Sequence, residues 1–447
     1  MEKELHKKIN ELKIRQSKKS LSFLGRLLVN GDELTLWEHD TRVLPRGARK
    51  WRKRARSFAQ EYIRPLALEA DRCPDDFNPK PLIKAAAKKG FQSLMFIPPF
   101  GRASIVTTFL TSVHLQVAVV AEEFTTECGG LGLLLLDHHL GVAPLLLSGH
   151  IPTWFRHMFP LYLKSYWLGS TESIAFAITE PEAGSDVQAS EGAATARLNT
   201  TARPVKGGYI LRGRKCFISN GALADRISLF AKLEGEDIQS WTCFLIDKKM
   251  KGVTVGRHER KLGQRASDSS EIILEDVFVP EKNIIGKLRS GRALGHNALH
   301  YSRPVVGAMA LGHGRGAFER ALAFCRKEKL GLKRLIDYKD VQYVLADMAL
   351  DLWAARSLIW RSCSNIRAEQ SASAAAKVFA SDTAFKVCNK AMELMGDKGY
   401  LHEYGVERAW RDSRLTQIYE GTNQICRYDI IEHQWDIEID KNTDKTG

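Results

Sequence analysis

The cysteines of this sequence are few and widely separated. Eight of them are spread over 447 residues, and no Cys-x-x-Cys pair occurs. Cysteine zinc sites and dense disulfide frameworks both need closely spaced cysteines. The sequence therefore excludes these two classes, and it predicts buried or unreactive thiols and no metal site.

The sequence also lacks an uninterrupted apolar run long enough to cross a membrane. The longest run, residues 131–147, is broken by Asp137, His138 and His139 and is shorter than the roughly 20 residues that a spanning helix needs. The N-terminus lacks the compact apolar core and cleavage site of a secretory signal. We therefore predict no transmembrane segment and a cytoplasmic protein.

Acidic residues are the minority among the charged ones. There are 52 Asp and Glu against 66 Lys and Arg, so the formal net charge is +14. Residues 1–56 hold sixteen basic and seven acidic residues, which accounts for +9 of this excess. Such a segment can bind nucleic acid, an acidic membrane surface or an acidic partner, but a solvated face is the commoner reason.

Three stretches of different periodicity divide the chain. Apolar residues recur at helical spacing from Arg46 onward and again from Arg292 onward, including a stripe from Val341 to Ile359. Between them lie short segments rich in β-branched and aromatic residues, bounded by turn residues, at 208–219, 227–233, 242–247 and 271–279.

This order predicts an α+β fold with helical domains on either side of a β domain. We expect the following divisions: a basic N-terminal extension (1–44), an N-terminal α domain (45–172), a middle β domain (173–286), a C-terminal helical bundle (287–436) and a tail (437–447).

Three motifs are candidates for chemistry. The first, FAITEPEAGSDV at 176–187, indicates by itself only a polar loop after a short strand. The second, RGRKCFISNG at 212–221, places an aromatic residue in a strand, where it is more often part of the core. The third, RDSRLTQIYEGTNQICR at 411–427, contains Glu420, which alone would be interpreted as a helix-cap carboxylate.

Taken together, the three motifs resemble the acyl-CoA dehydrogenase family, and the resemblance covers residues of about 46–434. The string KLGQRASDSSEIILEDVFVP at 261–280 is similar to the β domain of the same family. The resemblance implies the α, β, α fold, FAD as cofactor, an acyl-CoA substrate and an electron-transfer flavoprotein as partner. It also implies a homodimer or homotetramer.

The resemblance assigns the cofactor contacts residue by residue. Gly184 would allow close approach of the backbone to the flavin ring. The full set is Phe176, Ile178, Thr179, Gly184, Ser185, Phe217, Ile218, Ser219, Glu393, Gly396, Thr422 and Gln424.

Glu420 matches the catalytic base of the family. The thioester carbonyl acidifies the α-proton, a carboxylate removes this proton, and the β-hydrogen leaves as a hydride, so the product is a trans-2-enoyl-CoA. Because an ordinary glutamate is a weak base, the family encloses it in an apolar pocket that raises its pKa.

The resemblance also assigns the substrate contacts, which are Ser185, His300, Arg303, Tyr419 and Gly421. An arginine at a helix end in solvent is the alternative interpretation of Arg303. Some branches carry the base near the position of Ser302, but serine cannot do this work.

The polar residues Asp137, His138 and His139 could lie at the base of the substrate pocket. Three polar residues in one helix turn more often face solvent, and we expect this position for them.

Two acidic positions depart from the family pattern. Glu328, followed by Gly331 and Leu332, stands where the family has an arginine that reaches the FAD pyrophosphate of a neighbouring subunit. A carboxylate there adds like charge. Asp397 is the second departure. The cations that could compensate are Arg326, Lys327, Lys329, Lys333 and Arg334.

The sequence therefore leaves two alternative functions open. The first is FAD-dependent α,β-dehydrogenation of an acyl-CoA, for which residues 1 to about 44 should be dispensable. The second is a catalytically altered flavoprotein of the same family with a binding role, for example to nucleic acid. The basic N-terminus and Glu328 favour the second slightly. The complete motif around Glu420 favours the first, so nucleic acid is not an expected partner.

Overall fold

The computed structural model describes residues 35–95, 112–188, 190–364 and 367–434, together with Glu4, Lys7, Lys8 and Ser22. Most of the predicted basic extension and the tail 437–447 lie outside the described residues. Seven of the cysteines are buried and only Cys73 is exposed, as the sequence predicts.

Helices form the N-terminal part of the protein. Trp51, Ala55 and Phe58 place one face of the second helix in the core, and the regular helix ends before Pro65, which cannot donate a backbone hydrogen bond. The helices are α1 (Leu36–Val43), α2 (Arg46–Phe58), α3 (Ala67–Arg72), α4 (Lys80–Lys88), α5 (Val113–Glu127), α6 (Gly129–Leu147), α7 (Ile151–Thr153) and α8 (Phe159–Leu163).

Helix α6 lies inside this fold. It is 19 residues long and is the one helix in the described ranges with the length and composition of a membrane span, but 78% of its apolar window is buried within the protein. Such burial is that of a core helix in a folded domain.

The expected solvent position of the polar trio of α6 is wrong. Asp137, His138 and His139 are only 5%, 3% and 7% exposed. The reason is that α6 packs on several sides, against α5, the first β-strand and the long first helix of the C-terminal bundle. One helix turn therefore has no face left for solvent.

A mixed sheet forms the middle of the chain. The strands are β1 (Ile174–Ala177), β2 (Thr201–Val205), β3 (Gly208–Ser219), β4 (Arg226–Leu233), β5 (Thr242–Asp247), β6 (Val253–His258), β7 (Ser269–Pro280) and β8 (Ile284–Ile285), with helix α9 (Ser190–Thr195) before β2. The sheet order is β6-β7-β3-β2-β4-β5-β8, and β1 pairs in parallel with β4. The four predicted strand segments are confirmed, two of them to the residue.

The C-terminal part is a helical bundle with a small hairpin. Its elements are α10 (Gly291–Lys327), β9 (Lys329–Leu330), β10 (Lys333–Arg334), α11 (Lys339–Ser364), α12 (Gln370–Met395), α13 (Val406–Leu415) and α14 (Asn423–Gln434). The predicted apolar stripe of α11 is buried through Leu345, Met348, Leu352 and Ile359. Because α10 packs against both α12 and α5, it joins the two helical parts.

A buried cluster of charges strengthens this junction. Arg315 of α10 donates to Glu122 and to Glu123 of α5, at 2.6 Å in each case. Arg52 of α2 donates to Glu123 at 2.9 Å. Burial alone would raise the pKa of both carboxyls, but the arginines outweigh it and lower the pKa of each.

Two residues before Arg46 belong to the same cluster. Asp40 accepts a hydrogen bond of 2.6 Å from the buried Arg356, and Trp37 donates to Glu123 at 2.8 Å. Removing one partner from a buried ion pair leaves the other charge uncompensated. We therefore expect a chain that begins at residue 45 to lose about 2–4 kcal/mol of unfolding free energy relative to one that begins at residue 35.

Urea denaturation of the two chains measures this difference. Equal unfolding free energies would show that residues 35–44 add nothing to the fold.

Candidate active site

A cleft of about 250 Å³ lies where the loop after β1, the end of β3 and the segment before α14 meet. It brings together predicted residues from motifs far apart in the chain. Those lining it are Phe176, Ile178, Thr179, Gly184, Ser185, Phe217, Ile218, Ser219, Tyr419, Glu420, Gly421 and Thr422.

The loop after β1 is anchored to β3 by a buried ion pair. Lys215 Nζ donates to Glu180 at 2.8 Å and to the carbonyl of Ile178 at 3.1 Å, and both charged side chains are fully buried. The N–H of Cys216 donates to the carbonyl of Thr179 at 3.0 Å. These contacts hold the Ile178–Thr179 backbone at the edge of the cleft.

An irregularity in β3 turns Phe217 toward the cleft. The register between β3 and β7 shifts between Lys215 and Ile218, and Phe217 has a left-handed φ of 57°. Such a bulge re-aims a side chain out of the regular alternation. Phe217 is consequently 60% exposed and presents its ring to the cleft, so it is not a core residue.

The turn before α14 carries Glu420 in an unfavourable backbone conformation. Its φ is 54°, in the left-handed region that residues with a Cβ seldom occupy. The turn is pinned by its neighbours: Arg303 Nε donates to the Glu420 carbonyl at 3.2 Å, Lys377 Nζ donates to the Gly421 carbonyl at 2.7 Å, and the N–H of Thr422 donates to Ser185 Oγ at 3.3 Å.

Gly421 cannot carry a side chain in this turn. Its φ is 90°, and an added Cβ would lie 2.6 Å from Gln188 Oε1 and 3.0 Å from an Arg303 nitrogen. The glycine of the motif thus allows the turn to close against Arg303.

The Glu420 carboxylate accepts a hydrogen bond from Ser302 Oγ. Burial raises the pKa of Glu420 and outweighs the Ser302 hydrogen bond and the charges of Lys377 and Arg303, which lower it, so that the resulting pKa is about 7. A carboxylate with a pKa near neutrality is a stronger base than an ordinary glutamate and still ionises at physiological pH.

Ser302→Ala should raise the pKa of Glu420 further, because the hydroxyl favours the charged carboxylate. A rate that depends on ionised Glu420 should then reach its plateau at higher pH than in the natural protein. The pH dependence of substrate-driven flavin reduction measures the shift, and Ser364→Ala, which removes an exposed serine of α11, is the control. An unchanged or lowered apparent pKa would contradict the role of Ser302.

Arg303 is a buried residue, and its alternative position in solvent is wrong. It is 0% exposed and donates to Gln188 at 2.8 Å and to Asp429, besides the Glu420 carbonyl. Its partner His300 accepts a contact of 3.2 Å from the same guanidinium. Arg303 therefore stabilises the turn that carries Glu420, through the backbone carbonyl of Glu420.

A smaller apolar cavity of about 50 Å³ opens on the other side of Glu420. We call it the inner cavity. It shares four lining residues with the cleft: Leu133, Asp137, Leu140 and Glu420. Glu420 thus lies where an apolar chamber meets a larger cleft with hydroxyl groups.

Comparison with known proteins agrees with this geometry. The N-terminal, middle and C-terminal domains that define acyl-CoA dehydrogenases match residues 46–150, 175–277 and 289–434. The chain belongs to the acyl-CoA dehydrogenase family. It is thus an FAD-dependent oxidoreductase of the class that acts on CH–CH bonds.

Individual members of the family are similar over most of the chain. A cyclohexane-1-carbonyl-CoA dehydrogenase of Geobacter metallireducens is 32% identical over 83% of this chain and 93% of its own length. Subunit CarC of the caffeyl-CoA reductase-Etf complex of Acetobacterium woodii is 32% identical over 84% of this chain and 94% of its own. The butyryl-CoA dehydrogenase structure from Megasphaera elsdenii has a TM-score of 0.78 at 27% identity and covers 87% of this chain and 97% of its own.

The cleft of this acyl-CoA dehydrogenase suits the flavin ring of FAD. The exposed Phe217 offers a flat apolar surface, and Thr179 and Ser219 offer hydroxyl groups beside it. An added Cβ at Gly184 would meet no described atom nearer than Asp186 Oδ1 at 3.9 Å, so the backbone there is open to a ligand. These residues would hold the ring.

Five predicted site residues line neither the cleft nor the inner cavity: the buried Arg303, Glu393, Gly396, Gln424 and His300. Glu393 pairs with Lys390 at 2.7 Å near the end of α12, where Gly396 follows, and neither lines the cleft or the inner cavity. Gln424 is exposed on the first turn of α14, and His300 lies behind Arg303. Their assigned contacts with cofactor or substrate stay predictions.

The two acidic departures from the family pattern lie near each other. Glu328 pairs with Lys398, next to Asp397, at 3.4 Å, and both side chains of the pair are partly exposed. The like charge of Glu328 is therefore balanced within the chain by a lysine that the sequence interpretation did not consider.

Sequence reasoning missed several residues that shape the site. Most of them lie outside the three motifs, and only Lys215 and Glu180 fall inside. The missed residues are Glu180, Gln188, Lys215, Ser302 as a hydrogen-bond donor, and Lys377, while Asp137 was considered for the pocket but expected in solvent. A buried lysine within a strand was the one available signal, since lysine is seldom buried without a partner.

Proposed function

We propose that the protein oxidises the Cα–Cβ bond of an acyl-CoA thioester to the trans-2-enoyl-CoA, with Glu420 as the base. The observation that supports this most directly is the position of Glu420. Its carboxylate, with a pKa raised to about 7, borders both the cleft that suits the flavin ring and the apolar inner cavity that suits an acyl chain. An α-carbon between the two spaces would face the base.

The residues around Glu420 have distinct parts in this proposal. Glu420 takes the α-proton, and Ser302 holds its carboxylate in place. Arg303 and Lys377 fix the turn through its carbonyls and oppose the rise in pKa. Bound FAD supplies the acceptor for the β-hydrogen as a hydride.

Filling the inner cavity with an acyl chain would exclude water from Glu420. Loss of water disfavours the charged carboxylate and strengthens it as a base toward the α-proton. The apolar walls from Leu133, Leu136 and Val306 serve this purpose.

We propose an electron-transfer flavoprotein as the electron acceptor. The relative from Acetobacterium woodii is named as a subunit of a complex with Etf. We also propose a homodimer or homotetramer, in which a neighbouring subunit would complete the pyrophosphate half of the FAD site. Of the residues assigned to FAD, the chain's own cleft gathers only those of the flavin half.

Anaerobic titration of the FAD-loaded protein with acyl-CoAs tests the proposed function. We expect loss of the flavin absorbance near 450 nm on a stoichiometric scale, and its return when an electron-transfer flavoprotein is added. A protein that holds FAD but is bleached by no acyl-CoA, and that binds DNA in a salt-sensitive manner, would favour the alternative binding role instead.

A further inference from the structure

The inner cavity contains a polar side chain that the proposed dehydrogenation does not use. Asp137 of α6 lines both this cavity and the cleft, and it is 5% exposed. Its Oδ2 atom is buried and makes no hydrogen bond of normal geometry to the described residues, although the Asn220 amide lies near enough to lower the pKa of the carboxyl. Two residues further along α6, His139 also lines the cavity. Its Nδ1 atom is buried and has no hydrogen-bond partner among the described residues.

These unpartnered atoms conflict with a purely hydrocarbon substrate. A buried polar atom without a hydrogen bond costs about 1–3 kcal/mol, and an apolar acyl chain would exclude the water that could satisfy it. Native proteins usually resolve such a conflict with a partner group. In a substrate cavity, the substrate itself can supply the partner.

The chemistry of both side chains selects the kind of group. Burial and the nearby charge of Glu420 raise the pKa of Asp137 well above its usual range. An ionised group on the substrate would add a further buried charge, which is costly. A neutral hydroxyl accepts a hydrogen bond from a protonated Asp137 or donates one to the carboxylate, so it suits either state.

His139 fits the same kind of ligand. Its Nε2 lies 3.0 Å from the carbonyl oxygen of Phe91, an acceptor, so Nε2 carries the proton of the neutral ring. Burial lowers the pKa of His139 to about 4, and the ring is neutral at physiological pH. Nδ1 is then a pure acceptor, which a hydroxyl can satisfy and a methylene cannot.

We infer that the natural substrate is an acyl-CoA whose acyl group carries a hydroxyl beyond the β-carbon, and that Asp137 recognises this hydroxyl. The inference rests on the proposed function and narrows it from acyl-CoAs in general to hydroxylated ones. Asp137 acts here as a specificity-determining residue beside the base, with His139 as a second hydrogen-bonding point deeper in the cavity.

Matched pairs of acyl-CoAs test the inference with the FAD-loaded protein. Suitable pairs are butyryl- and 4-hydroxybutyryl-CoA, hexanoyl- and 6-hydroxyhexanoyl-CoA, and cyclohexane-1-carbonyl-CoA and its 4-hydroxy derivative. Each is measured twice: by perturbation of the flavin spectrum of the Glu420→Gln variant, which gives Kd without turnover, and by the rate of anaerobic flavin reduction in the natural protein. For each compound, the rate of flavin reduction is divided by Kd. In at least one pair, we expect this quotient to be about tenfold or more higher for the hydroxylated member.

Variants separate recognition from a structural effect. In the Asp137→Leu variant, the quotient of rate and Kd should be no higher for the hydroxylated member than for the deoxy member. The quotient of the deoxy member should itself rise. Asp137→Asn should keep part of the preference, because the amide still donates and accepts hydrogen bonds. Leu136→Val changes the wall of the same cavity without a polar atom and should leave the ratio unchanged.

The two proposals can fail separately. Flavin reduction by the deoxy members at equal or better efficiency in every pair would overturn the inference and leave dehydrogenation standing. If no acyl-CoA reduces the flavin, the proposed function fails. In that case, equal Kd values within all pairs would overturn the inference too. Tighter binding of a hydroxylated member would support the inference if Asp137→Leu abolishes the difference in Kd.

Discussion

Glu420→Gln should keep FAD bound and reduce the rate of flavin reduction by acyl-CoA at least ~10²-fold. The amide has the shape of the carboxylate and can occupy the same place beside Ser302, but it cannot accept the α-proton. Rapid mixing of the FAD-loaded variant with substrate, followed at the flavin band, gives the rate. Glu403→Gln, an exposed glutamate on the same C-terminal part, is the matched control and should react like the natural protein.

The same substitution should also change how stability depends on pH. The pKa of Glu420 is raised from 4.5 to about 7 in the folded protein, so its contribution to stability is complete below pH 4.5 and is lost as the pH rises through 7. Glutamine does not ionise, and the variant should therefore gain stability relative to the natural protein above pH 7. Near-natural flavin reduction by the Gln variant, or equal stability of both proteins at pH 8 and pH 5, would refute the assignment of Glu420 as a base in a desolvated site.

Lys215→Met should destabilise the protein by about 3–5 kcal/mol and weaken FAD retention. The substitution leaves Glu180 charged and buried without its cation, although the N–H groups of Asn199 and Thr200 still donate to this carboxylate, at 2.6 Å and 3.0 Å. The loop that carries Thr179 would lose its anchor on β3. Urea denaturation and the ratio of bound FAD to protein measure the two effects.

The double variant Glu180→Gln/Lys215→Met tests the cause. Glutamine removes the uncompensated charge and still accepts from the two backbone N–H groups, so the double variant should regain part of the lost stability. Arg212→Met is the control, because Arg212 lies on β3 like Lys215 but pairs with Asp276 of β7 in solvent, where an ion pair adds little to stability. A Lys215 effect no larger than the Arg212 effect would contradict an anchoring role.

Local sequence patterns predicted the elements of the fold well. Strand β3 at 208–219 and strand β5 at 242–247 begin and end at the predicted residues, because β-branched and aromatic residues between turn residues favour a strand there. The residues that the resemblance assigns to the flavin ring also lie together, in one cleft.

The position of α6 was beyond such reasoning. An amphipathic pattern identifies a face only when one side of a helix is polar. The polar trio of α6 sits in a largely apolar run and is buried by α5, β1 and α10 together, so no local pattern distinguishes a polar residue in a cavity from one in solvent.

The sequence by itself determined the family, the α, β, α order and FAD, and it predicted the glutamate at 420 as the base, because these depend on local periodicity and on strings of neighbouring residues. Only the tertiary structure decided what surrounds that glutamate: Ser302 from α10, Lys377 from α12 and Asp137 from α6. The physical reason is that the burial that raises the pKa of Glu420, and the charges and hydrogen bond that lower it, come from residues more than forty positions away in the chain.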